Sequence, residues 1–173
     1  MNKSEQYVST ICKKSFLSLW SYRNPLGKNS KELCDILVVS EPDIIIFSVK
    51  EIDISHSGDE QVDGIRWVKR AIKKSYNQIY GAERWIQNST NIITKDGKKG
   101  LPFPDVSSRR IHRVAIALGS ENKFPVLSAD FGKGFVHIFD EISLSIIMNE
   151  LDTISDFAKY LTDKESLNCN VSS

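Results

Sequence analysis

The feature that most constrains the fold is a pair of short runs rich in isoleucine and valine, residues 33–39 and 44–52. A tight-turn sequence that contains Pro42 and Asp43 separates them. Because β-branched residues favour extended strands, the two runs are predicted to form an antiparallel hairpin. The second run is almost continuously apolar, which indicates a strand that is largely buried.

Apolar residues recur at spacings of three and four in four other segments. Residues 4–22 and 65–86 are predicted to be long amphipathic helices, and residues 144–151 and 154–161 shorter ones. These helices alternate with the predicted strands along the chain. We therefore expect an α/β fold with a mixed central sheet flanked by helices.

A further strand is predicted at residues 110–118, and strands at 126–129 and 135–139 are predicted to form a second hairpin around Gly132 and Gly134. The remaining segments are polar or rich in glycine and proline. They are predicted to be loops, the first of them with one short strand: residues 22–31, 53–64 and 88–108.

Length and charge limit the classes of protein to consider. A chain of 173 residues with 40% hydrophobic content is predicted to form one domain, residues 1–162, followed by a polar, disordered tail, residues 163–173. The 23 basic and 22 acidic residues leave a formal net charge of +1. A surface that attracts nucleic acid must therefore be local.

The cysteines and the N-terminal sequence favour a reducing compartment. Cys12, Cys34 and Cys169 are odd in number and lack zinc-site spacing, so we expect free thiols. Nothing at the N-terminus resembles a signal peptide, and no run approaches the roughly 20 apolar residues that cross a bilayer. A cytoplasmic location without membrane contact is expected.

Five basic residues crowd about three turns of the predicted helix at 65–86. They lie on the flanks of its apolar stripe, where they could line a phosphate backbone or simply face solvent: Arg66, Lys69, Arg70, Lys73 and Lys74. The histidines are scattered over a loop and two strands. A histidine metal site is therefore not expected.

Asp35 and Lys50 are the candidate catalytic pair. One lies on the first arm of the predicted hairpin and the other near the end of the second, so both are expected at one end of the sheet. Phosphodiester hydrolysis uses a carboxylate-held divalent cation and a nearby positive charge. The alternative is that both residues are ordinary charges that border apolar strands.

Three segments together resemble the PD-(D/E)XK nuclease superfamily: residues 31–39 (KELCDILVV), 44–50 (IIIFSVK) and 78–84 (QIYGAER). The resemblance implies a restriction-endonuclease-like core of one helix, three strands, a second helix and a fourth strand. It assigns catalysis to Asp35, Lys50 and Gln78, with Asp35 as the metal-binding acid and Lys50 as the catalytic lysine. It also implies Mg²⁺ or Mn²⁺ as cofactor and cleavage of DNA, in restriction or defence against foreign DNA.

Ser48 departs from that pattern, which has an acid two residues before the lysine. The candidate replacements are Glu51, Glu5, Glu32 and Glu83, in that order. Glu51 is predicted to point to the face opposite Ser48 and Lys50 unless the strand end twists or bulges.

Two other functions therefore stay open. One is a degenerate nuclease fold that binds nucleic acid or a protein without cleavage, and the other is an interaction domain of a larger protein. The sequence also leaves open whether the chain forms a homodimer or a larger complex.

Overall fold

A six-stranded mixed sheet forms the centre of the computed structural model, which describes residues 6–8, 10, 20–120, 123–151 and 153–169. The strands are β1 (Ser21–Arg23), β2 (Ile36–Ser40), β3 (Asp43–Glu51), β4 (Asn91–Ile93), β5 (Lys99–Pro102), β6 (Arg110–Leu118), β7 (Ala129–Asp130) and β8 (Phe135–Phe139). The sheet order is β1-β2-β3-β6-β8-β7, while β4 and β5 pair separately. The expected α/β class is confirmed.

Helices cover both faces of this sheet. They are α1 (Glu60–Val68), α2 (Lys74–Gln87), α3 (Glu141–Glu150) and α4 (Ile154–Cys169). One π-helical turn, Lys69–Lys73, joins α1 to α2. None of the described helices is both long and apolar enough to cross a membrane.

The predicted first hairpin is confirmed, with Ile36 opposite Phe47 and Ser40 opposite Asp43. Strand β1 pairs with β2 in antiparallel orientation, and β6 lies parallel to β3 on its other side. Strand β8 is parallel to β6 and antiparallel to β7, so the second predicted hairpin also forms. The central strands are thus β3 and β6, as their apolar sequences indicate.

Alternation along β2 and β3 supplies two separate cores. One face packs against α1 and α2 and includes Leu37, Val39, Ile44 and Ile46. The other packs against α3 and α4 and includes Ile36, Val38, Ile45 and Phe47. Because successive side chains point to opposite faces, each strand contributes to both cores.

Several predicted boundaries are wrong. The long helix begins at Glu60 and not at residue 65, because the Asp59 side chain accepts hydrogen bonds from the main-chain N–H groups of Gln61 and Val62. The segment 88–108, predicted as a loop, contains β4 and β5. That hairpin is held in place by a β-bridge between Ile93 and Leu26.

The structure also differs from the sequence prediction near both ends. Strand β7 covers only Ala129–Asp130, and α4 continues to Cys169, where a disordered tail was predicted from residue 163. Glu165 of this extension lies 2.9 Å from His137 Nε2. In the helix predicted at 4–22, residues 6–8, 10 and 20 are helical. Ser21 and Tyr22 belong instead to β1, and the others lie outside the described residues.

The buried histidines serve the fold. His112 Nε2 lies 2.8 Å from Asp43 Oδ1, and Arg110 donates to the other carboxylate oxygen of Asp43 at 2.9 Å. These contacts join the first residues of β3 and β6. Burial lowers the pKa of His137, against the opposing effect of Glu165. His137 is therefore neutral at neutral pH and fits the apolar face that it occupies.

Gly119 lies where the chain leaves β6 beside the end of β3. Its φ is +89°, and a Cβ atom there would lie 2.5 Å from the carbonyl oxygen of Ile52. Gly97, in the turn between β4 and β5, has a similar φ of +80° but no atom within 4 Å of the Cβ position. Substitutions at the two glycines therefore distinguish the cost of a positive φ, which both share, from the cost of a steric clash, which only Gly119 has.

We expect Gly119→Ala to destabilise the protein more than Gly97→Ala. Both substitutions force an alanine into the left-handed region, at a cost of about 1–3 kcal/mol. Only Gly119→Ala also displaces main-chain atoms of Ile52, which adds about 1–3 kcal/mol by analogy with overpacking. Urea denaturation of the two variants measures the difference, and equal losses would contradict the assigned contact.

Candidate functional site

Asp35 is fixed at the start of β2 by main-chain contacts on both sides. Its N–H donates to the carbonyl of Phe47 at 3.2 Å, and its carbonyl accepts from the N–H of Asn24 at 2.9 Å. The residue is 3% exposed. Its side chain therefore has little freedom to move away from the end of β3.

The Asp35 carboxylate has two donors on β3. Its Oδ2 accepts from the main-chain N–H of Val49 at 2.6 Å and from Lys50 Nζ at 3.2 Å. The lysine side chain is 26% exposed, so the ion pair is buried on the acid side and reaches solvent on the lysine side. The hairpin thus brings together the two residues that its sequence spacing predicts.

Ser48 and Gln78 complete this cluster. Ser48 shares the α2 side of β3 with Lys50, because residues two apart in a strand point to the same face. Its buried hydroxyl donates to Oε1 of Gln78, on α2, at 2.8 Å. The side chains of Asp35, Ser48, Lys50 and Gln78, hereafter the hairpin centre, therefore lie in one place.

Cys34 lies beside the hairpin centre but is not a nucleophile. Burial raises the pKa of its thiol well above the usual value, and the charges of Asp35 and Glu32 raise it further, while Lys50 lowers it. The thiol stays protonated at neutral pH and contacts the carbonyl oxygen of Ile36 at 3.4 Å.

Glu51, the first-ranked replacement acid, lies on the wrong side of the sheet to join Asp35. The pairing of β3 with β6 continues in register to Glu51 opposite Leu118, with no bulge. The alternation of side chains therefore holds to the end of the strand, and Glu51 points away from the face of Lys50.

The other candidate acids have different surroundings. Glu83 forms a two-pronged ion pair with Arg113, at 2.5 and 2.7 Å. Glu32 accepts from the Asn24 side chain at 2.6 Å. Glu5 lies outside the described residues.

The described residues include no group of three or more histidine, cysteine, aspartate or glutamate side chains that could hold a metal ion. Asp35 is the carboxylate that the hairpin centre offers to a cation, and Lys50 already neutralises it. One carboxylate falls short of the donor set that the acid-x-lysine pattern requires. Within the described part of the chain, the residues do not fit the metal that the resemblance implies.

The sequence analysis missed the donor that holds Asp35 most closely, the main-chain N–H of Val49. No side-chain pattern could have revealed it, since every residue except proline carries the same group. The hydrogen bond between Ser48 and Gln78 was also missed, although both residues were singled out separately.

No protein-family model, curated protein or solved structure matches this chain. The class of protein is therefore inferred from the geometry of the hairpin centre and of the helical segment beside it. That segment, hereafter the basic helix, carries Arg66, Lys69, Arg70, Lys73 and Lys74.

We expect Asp35→Ala to destabilise the protein by about 2–3 kcal/mol, because the substitution removes a charge-assisted hydrogen bond and leaves the buried N–H of Val49 without its acceptor. Asp35→Asn keeps an acceptor in place and should cost less, about 1 kcal/mol. Urea denaturation at neutral pH tests the order. Equal losses for the two variants would mean that the Val49 hydrogen bond contributes little.

Proposed function

We propose that this chain is a DNA-binding domain with a nuclease-like fold whose centre has lost metal-dependent cleavage. The observation that carries the proposal is the hydrogen bond from Ser48 to Gln78, at the position where the nuclease pattern needs an acid. A serine hydroxyl is a poor ligand for Mg²⁺, which binds carboxylates and waters. On this proposal the hairpin centre would be a former phosphodiesterase site, to which the described residues bring no second carboxylate beside Asp35.

The order of elements supports the fold part of the proposal. Strands β1, β2 and β3 form an antiparallel series, α1 and α2 follow, and β6 returns parallel to β3. Apart from the β4–β5 hairpin, which lies between α2 and β6, this order agrees with the succession of three strands, a helix and a fourth strand that the resemblance implies. A cytoplasmic site of action is part of the proposal, and the buried free thiol of Cys34 is compatible with it.

The basic helix supports DNA as the partner. Its five basic side chains are all exposed, and they divide between two flanks. Arg66, Arg70 and Lys74 precede Gln78 at intervals of four residues, so this basic flank leads along the helix towards the hairpin centre. Positive charges at such intervals can follow a phosphate backbone.

Lys69 and Lys73 lie on the other flank. They line an apolar groove, which is formed by α1, the π-helical turn, the first turn of α2 and the rings of Phe124 and Phe131. The groove flank thus combines two lysines with apolar side chains. Its surface chemistry suits a different partner from that of the basic flank.

A second candidate function is metal-dependent DNA cleavage. It is favoured by the convergence of Asp35, Lys50 and Gln78, the three residues to which the resemblance assigns catalysis. A bound Mg²⁺ would polarise the phosphate and activate water. Asp35 would hold it, and a second acid would have to come from outside the described residues, as Glu5 would.

We expect the wild-type protein to leave plasmid DNA intact with Mg²⁺ or Mn²⁺. We also expect Ser48→Asp to tighten Mn²⁺ binding roughly tenfold or more, about 1.4 kcal/mol, by restoring the acid-x-lysine pattern. Agarose-gel cleavage assays and titration calorimetry measure the two effects. Adding Asp35→Asn to Ser48→Asp should remove the gained binding.

Cleavage by the wild-type protein that is lost in both Lys50→Ala and Asp35→Asn would instead establish the second candidate. Both variants must first show a cooperative unfolding transition, because Asp35 and Lys50 also stabilise the hairpin. Glu5→Gln would then show whether that residue supplies the missing acid.

DNA binding should depend more on the basic flank than on the groove flank. Each phosphate contact contributes roughly 0.9 to the slope of log affinity against log salt for duplex DNA. We therefore expect Arg70→Gln with Lys74→Gln to lower that slope by about two. Fluorescence anisotropy of a labelled duplex over a salt series measures it.

The matched control is Lys69→Gln with Lys73→Gln, which removes the same charge from the same helix on the groove flank. Its slope should stay close to that of the wild type. If wild-type protein does not bind the duplex even at low salt, the DNA-binding proposal fails.

A further inference from the structure

The residues of a single copy of the chain form the apolar groove. It encloses about 630 Å³ and is lined by Gly64, Ile65, Val68, Ile72, Phe124 and Phe131, among others. A Cβ atom on Gly64 would lie 2.8 Å from the ring of Phe124, so the floor requires glycine at this position or a shift of that ring. Tyr76 and Phe131 stack at 4.6 Å between ring centroids and stiffen one wall.

Two aliphatic side chains of this groove are open to solvent. Ile65 is 63% exposed and Val68 is 42% exposed. They adjoin the aromatic rings of the opposite wall, so the exposed apolar surface is contiguous. A contiguous apolar patch with a charged rim is typical of a protein-binding surface.

The rim of the groove is positive at one end. Lys69 and Lys73 are exposed, and among the described residues neither has a carboxylate within salt-bridge distance. Glu60 lines the other end of the groove. From there along the helix the groove presents apolar side chains, at Ile65 and Val68, and then positive charges. A complementary partner would present apolar residues followed by negative charge.

The outer face of α3 has that order. Ile142 is 52% exposed and Ile146 is 57% exposed. Glu150, four residues further on, is exposed at the end of the helix. The stripe from residue 142 to 150 covers nine residues and rises roughly 12 Å at 1.5 Å per residue. The stripe from residue 65 to 73 also covers nine residues, of which the last five form the π-helical turn, and it is of similar length.

We propose that the groove of one copy of this chain binds helix α3 of a second copy. The helices run parallel, with Ile142 and Ile146 over Ile65 and Val68, and Glu150 beside Lys69 and Lys73. Glu141, one residue before Ile142, is held within its own chain, where its carboxylate accepts from the N–H of Gly119 at 2.6 Å. The proposal goes beyond the proposed function and does not depend on it.

The positions of the two surfaces determine the kind of assembly. Helix α1 covers one face of the sheet and α3 the other, so a copy that offers its groove still has a free α3. Such an interface is head to tail and joins different patches of the two copies. It forms rings or open chains of copies instead of a closed two-fold dimer.

The test uses two variants, each with one surface disrupted. Val68→Glu places a negative charge in the groove, and Ile146→Glu places one on α3. Both positions are exposed, so neither substitution disturbs the core. Val106→Glu is the matched control, at a residue that is 65% exposed and belongs neither to the groove lining nor to α3.

Sedimentation velocity should show that the wild type and Val106→Glu grow with concentration beyond twice the monomer mass of 19.6 kDa. Val68→Glu and Ile146→Glu should each remain monomeric. Their equimolar mixture should form a one-to-one dimer and stop there, because the intact α3 of the first fits the intact groove of the second.

A wild-type protein that stays monomeric up to about 1 mM, the weak limit of ordinary association, would overturn the proposal. A mixture of the two variants that forms no dimer would also overturn the proposal, because that result is expected of a two-fold interface and not of a head-to-tail one. If the wild type is monomeric and Val68→Glu weakens binding of a DNA duplex, nucleic acid occupies the groove instead.

Discussion

The rest of the structure depends on the burial of strand β3 on both of its faces. Its side chains alternate between two helical layers, and each large apolar residue buried there contributes about 1.5–3 kcal/mol. A shift of one residue in register would exchange the two sets of side chains between the layers. It would also carry Ser48 and Lys50 to the face of α3 and α4, away from Asp35. The hairpin centre therefore depends on the packing of the whole sheet.

Double burial also explains which elements could be predicted from the sequence. Apolar periodicity marks strands β2, β3 and β6 and the sheet-facing side of α1 and α2. It follows directly from the core that these elements join. The early start of α1 has no such signal, because the capping side chain of Asp59 lies outside the apolar stripe. Strands β4 and β5 are short, and β5 contains a glycine and a proline. The bridge from Ile93 to Leu26 that holds them depends on tertiary structure.

The same distinction applies to the hairpin centre. Asp35 and Lys50 could be paired from the sequence because a hairpin brings fixed positions together. Parity along β3 also placed Glu51 on the opposite face. The ion pair of Glu83, on α2, could not be predicted, since its partner Arg113 lies 30 residues away on strand β6. Nor could the hydrogen bond between Ser48 and Gln78, which depends on how closely α2 approaches the sheet.

The π-helical turn between α1 and α2 has a consequence for how this protein can change. A turn of this kind holds one more residue than an α-helical turn, so deleting one residue from Lys69–Lys73 would close it into a regular α-helical turn and leave α1 and α2 in nearly the same relative orientation. A substitution can alter the basic flank or the groove flank one at a time. A single deletion would change both together, because Lys69, Arg70 and Lys73 all lie within this turn, and it would leave Trp67 in the core. Variation in the length of this turn, and not in its side chains, is the change that couples the two surfaces.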